Sequence, residues 1–147
     1  MKYLLYSLMS LLPGIASAHV LPQLDGNYQM QLLIGEHLFL DQMELKGQQS
    51  PLHLNCFDGN IEGTITVPGI FSSPLVGEAQ CSSRTSSCEL RFEIVAVEAG
   101  RSYKVIYKAQ LTPENFNKVR HGDAPVLTGS AYLESGELLG NFTATRQ

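Results

Sequence analysis

Apolar residues recur at every second position through most of this 147-residue chain. Tyr28, Met30, Leu32 and Ile34 share one phase, and Phe39, Met43 and Leu45 share the next, with Asp41 among them. Ile61, Ile65 and Val67 alternate with Glu62, Thr64 and Thr66, and Leu75, Ala79 and Cys81 with Glu78 and Gln80. Cys88, Leu90, Phe92, Ile94 and Ala96 continue the pattern, as do Tyr103, Val105, Tyr107, Ala109 and Leu111. Leu127, Ala131 and Leu133 lead to Leu138, Phe142 and Ala144. A period of two puts such residues on one face of an extended strand and their polar neighbours on the other. Half-wet strands of this kind pair antiparallel.

The connections agree. Pro68-Gly69 suits a type II turn, where proline presets φ and glycine accepts a positive φ. Asp58-Gly59, Ala99-Gly100 and Ser135-Gly136 read as hairpin turns, with Asp58-Gly59 parting a strand at 52–57 from one at 60–67. The expected fold is therefore all-β, an up-and-down meander of eight or nine strands. One segment departs from it. Thr112 as N-cap, Pro113 at the first helical position, Glu114 in the first turn and Gly122 as a stop predict a short helix near 113–119, placed to cap a barrel end. Gly63, Gly77, Gly129 and Gly140 fall in the inward phase. Interior glycines mark bends and close approaches, which favours a small coiled barrel over a barrel-like sandwich.

The N-terminus reads as an address. Lys2 precedes an apolar run from Tyr3 to Leu12, which Pro13-Gly14 breaks ahead of Ala16-Ser17-Ala18. This is the pattern of a cleaved secretory signal over 1–18, bacterial in look. The run is too short for the ~20 residues of a spanning helix. Residues 19–147 then form a single all-β domain, exported to the periplasm or the medium. Of three cysteines, Cys81 and Cys88 flank a polar stretch and would meet across a hairpin as a disulfide. Cys56 is left as a buried thiol. With 10 Lys+Arg against 14 Asp+Glu, the formal charge of −4 offers no footprint for nucleic acid.

Tyr28, Phe39, Phe92, Tyr103, Tyr107 and Phe142 share the inward phase and would line the interior, with Asp41 and the tyrosine hydroxyls as polar anchors for a small apolar ligand. The same pattern also describes a solid core. Such an architecture resembles the lipocalin and avidin type of barrel, and this resemblance implies a calycin-like fold only. A chain without Trp carries neither the lipocalin Gly-x-Trp signature nor the ligand-stacking Trp residues of avidin. No family residue is therefore transferred.

A second candidate is the loop at 68–74, where Ile70 and Phe71 between two prolines could dock a protein partner. A third is His19, the first residue after the cleavage site. Its free amine and imidazole would chelate Cu(II), as in copper proteins with an N-terminal His such as the lytic polysaccharide monooxygenases and small periplasmic copper carriers. His37, His53 and His121 are the available partners. No enzyme is signalled. His53 and Cys56 are three apart on a strand and point to opposite faces, and no G-x-S-x-G or H-E-x-x-H occurs. The expectation is a non-enzymatic binding protein without a resident cofactor.

Overall fold

The computed structural model describes residues 24–47, 58–82 and 84–147. Among them, eight antiparallel strands close into a barrel, each beside its neighbour in sequence. They are β1 (Gly26–Ile34), β2 (His37–Gly47), β3 (Asp58–Val67), β4 (Phe71–Ser82), β5 (Ser87–Glu98), β6 (Arg101–Leu111), β7 (Val126–Leu133) and β8 (Leu138–Arg146). Closure is made by β1 against β8, with Leu32 opposite Phe142 and Met30 opposite Ala144. The barrel, not the sandwich, is the form adopted. The inward phase read from the sequence is the buried set: Met30, Met43, Leu45, Ile65, Leu75, Leu90, Phe92, Leu127 and Ala144 are all sealed from solvent.

Glycine explains how so tight a sheet closes. A Cβ placed on Gly77 would lie 2.1 Å from the Arg91 carbonyl oxygen and 2.5 Å from the Phe92 Cα. One on Gly129 would lie 1.9 Å from the Lys108 oxygen. The backbones of β4 and β5, and of β6 and β7, approach closer than any side chain at these points would permit. Phe92 and Phe142 lie across from Gly77 and Gly129, so each glycine also makes room for a large ring in the core.

The two ends of the barrel differ. The connections β1–β2, β3–β4, β5–β6 and β7–β8 are short turns gathered at one end. The β3–β4 turn is type II as expected, with Ile70 N–H donating to the Val67 carbonyl at 3.0 Å and Gly69 at φ 76°. At the other end lie the β4–β5 hairpin, the β6–β7 connection and the last residues of β8. A short helix, α1 (Pro113–Arg120), sits in that β6–β7 connection. Thr112 caps it, accepting from Asn115 N–H at 3.4 Å, and Gly122 ends it at φ 99°. Phe116 and Val119 turn inward from the helix and are buried, so α1 plugs this end. Cys81 and Cys88 face each other in register and form a disulfide. Closing so short a loop adds about 2–3 kcal/mol by chain-entropy arguments.

Two expectations are corrected. Asp58-Gly59 is no turn. Both residues lie in β3, where Asp58 pairs with Gln80 and Gly59 with Ala79. The long β4 offers ladder partners to both, and this outweighs the local turn preference. The segment 68–74 is likewise not one loop: only 68–70 turn, and Phe71 already begins β4. Pro74 is tolerated there because the β4–β5 ladder starts at Val76. One step earlier, Ser73 Oγ accepts from Val95 N–H at 3.1 Å in place of a backbone partner. The predicted signal peptide, His19, His53, Cys56 and the strand at 52–57 lie outside the described residues.

Candidate functional site

The unplugged end holds a cavity of about 280 Å³. Its walls are apolar: Leu32 and Ile34 from β1, Phe39 from β2, Val67 from β3, Ile70 from the β3–β4 turn, Phe71 from β4, Ile94 and Ala96 from β5, Val105 from β6 and Leu139 from β8. Every strand except β7 delivers inward residues next to its turn at this end, so the alternation that builds the core also builds this lining.

Four polar side chains, Asp41, Tyr107, Tyr103 and Glu98, break the apolar wall at informative places. Asp41 of β2 is 2% exposed, and its Oδ1 accepts no hydrogen bond from any described residue. Burial pushes its carboxyl up to about 6. A carboxyl without a partner in an apolar wall is costly, and most buried polar groups do find one. Tyr107 of β6 lies close by. Burial raises its phenol, and the charge of Asp41 raises it further. Its ring stacks on Phe92 at 5.1 Å and meets Phe142 edge-on at 5.6 Å. At the rim, Tyr103 is 37% exposed and its hydroxyl donates to Glu98 at 3.2 Å. Burial and that hydrogen bond raise the Tyr103 phenol.

The residues singled out from sequence are thus sorted by height along the barrel. Phe39, Asp41, Tyr103 and Tyr107 line the cavity together. Phe92 and Phe142 lie beneath it, and with Tyr107 they form its aromatic floor. Tyr28 does not belong to the site. It sits towards the plugged end, where its hydroxyl donates to the Leu24 carbonyl at 2.5 Å. The register explains this: Tyr28 pairs with Arg146 near the end of β8, away from the β1–β2 turn. Ile70 and Phe71, read as a separate docking loop, are part of the same cavity wall. Phe71 packs against the core, while Ile70 stays 61% exposed at the lip.

Sequence reading missed Glu98, Val67, Ile94 and Leu139 as lining residues. The Ala99-Gly100 turn was the available signal for Glu98, because a two-residue hairpin there pairs Glu98 with Arg101 and brings it to Tyr103. Of the histidines proposed as copper partners, His37 follows the β1–β2 turn at the open end and His121 ends α1 at the plugged end; both are exposed. No group of three metal-binding side chains occurs among the described residues. No helix among them is long and apolar enough to cross a membrane. No protein-family model, curated protein or solved structure matches the chain.

Proposed function

We propose that this is an exported, non-enzymatic binding protein that holds a small apolar ligand in the open end of its barrel. The observation that carries the reading is the cavity itself. The described strands fill the barrel at one end and leave about 280 Å³ at the other, with a single buried carboxyl in its wall. Small-molecule sites have this form, mostly apolar with a few placed polar groups. Export is supported by the disulfide, which fits an oxidising compartment, and by the signal pattern at 1–18.

Native mass spectrometry of protein exported by its own host tests the reading. The expected result is a non-covalent addition on the monomer that disappears in Ala96→Phe, a substitution that fills the cavity. Folding of the variant is checked by circular dichroism. A bare wild-type protein that also takes up no six- to ten-carbon compound would leave a filled core as the better account.

A second reading, a protein-interaction module, rests on one further observation. Leu33, Leu38, Leu40, Leu138 and Ile70 are all about half exposed or more around the same open end. Leu38→Glu would abolish such docking and leave ligand binding intact. Copper binding through His19 remains a third proposal, checked by adding one residue before His19 and measuring Cu(II) affinity.

A further inference from the structure

We infer that the ligand of the open-end cavity is a cation: an apolar amine whose ammonium group is held by Asp41. This rests on the reading of the cavity as a ligand site and adds the ligand's charge.

The lining decides the sign. Among the described residues, the cavity's two carboxylic acids are Asp41 in the wall and Glu98 at the rim, and no Lys, Arg or His lines it. A fatty acid or any other anion would meet no counter-charge there and would be repelled by both carboxylates. An ammonium group would give the Asp41 Oδ1 the donor it lacks. Hydrogen bonds between charged partners are about twice as strong as neutral ones. The rings of Phe39 and Tyr107, which line the same cavity, add cation–π attraction. The approach is acidic too. The turns at this end carry Glu36, Glu98, Glu134 and Glu137 against Arg101 and His37, and Lys104 is already paired with Glu93 at 3.5 Å and Glu134 at 3.9 Å.

Size limits the apolar part. At the ~30 Å³ that a water-sized atom occupies, the cavity admits about nine non-hydrogen atoms, the size of an eight-carbon amine. Binding should also depend on pH. The titratable groups facing Asp41 are Tyr107 and Tyr103 of β6, with Glu98 beyond them; the cavity residues of β1, β3, β4 and β8 carry no ionisable side chain. Asp41 therefore governs the response, losing its charge below about pH 6.

Calorimetric titration of the whole protein with three eight-carbon probes, octylamine, octanol and octanoate, tests this at pH 7.5. Octylamine should bind about ten- to a hundredfold more tightly than octanol, and octanoate most weakly. Asp41→Asn, isosteric and checked for folding by circular dichroism, should erase the preference for the amine. In the wild type, the affinity for octylamine should fall about tenfold per pH unit below pH 6 while that for octanol holds. Equal binding of all three, or tightest binding of octanoate, overturns the inference and leaves the apolar-ligand reading standing. No binding of any probe by folded protein overturns both.

Discussion

Asp41 is the residue at which stability and function pull apart. Its carboxyl would be ionised at neutral pH in the unfolded chain, where water solvates it. In the fold it is 2% exposed, and burial lifts its pKa from 3.8 to about 6. The sign of the consequence follows from this direction. Above about pH 6 the folded state holds a desolvated charge that the unfolded chain solvates, so the full penalty applies. Below about pH 4 the group is protonated in both states and the penalty is gone. A shift of that size corresponds to roughly 2–3 kcal/mol. Asp41→Asn should therefore be more stable than the wild type by about this amount at pH 8, with the gap closing as the pH falls to 4. Urea unfolding of both proteins at pH 8, 6 and 4 measures it. A gap that is absent or independent of pH would mean that Asp41 is not desolvated in this way. A position where the native residue weakens the fold is one where a ligand can repay it, which is why this residue anchors the proposed site.

At the scale of strands and turns, the structure depends on close approaches that leave no room for substitution. Gly77→Ala would drive a methyl group into the Arg91 carbonyl oxygen. With backbone on both sides, neither strand can yield cheaply, so a loss of about 3 kcal/mol or more is expected in chemical denaturation. A value near that of an exposed strand substitution would show that β4 and β5 can separate without harm. The Ala99-Gly100 turn offers the opposite case. Ala99 has φ 51° and Gly100 φ 74°, the paired positive values of a type I′ turn, which alanine tolerates poorly. Ala99→Asn should stabilise the protein by about 0.5–1 kcal/mol, seen as a rise of about 3 °C in Tm. These elements were legible because their causes are local. Period two marks Phe92 and Tyr107 as inward wherever the strands end up, and Thr112-Pro113 caps a helix whatever it packs on. Height along the barrel is not local. Tyr28 and Tyr107 carry the same inward signal, yet one ends near the plug and the other in the cavity wall, because strand register sets their level. Asp58-Gly59 misled for the same reason, since its turn chemistry was overruled by a partner strand distant in sequence.

The whole molecule is polar along its axis, and that polarity makes a prediction no single residue does. An up-and-down barrel with eight strands sends alternate connections to opposite ends. Here one end collects the four short turns and the cavity. The other collects α1, the disulfide hairpin and the last residues of β8, where Gln147 N–H donates to the Asn27 carbonyl at 2.8 Å. The amides at turns exchange with solvent through small local openings, not through global unfolding. A ligand in the cavity contacts only one set of turns. Saturating octylamine should therefore slow hydrogen exchange at the Pro68–Ile70 and Ala99-Gly100 turns, while the Arg84–Ser86 turn and the end of α1 at His121-Gly122 stay unchanged. Core amides of β5 and β6, which exchange through global unfolding, should slow together by the binding free energy, about a hundredfold at a hundred times Kd. Protection confined to α1 or the disulfide hairpin would place the ligand at the wrong end of the barrel. Protection spread evenly over both sets of turns would mean that the added molecule coats the surface and does not enter the cavity.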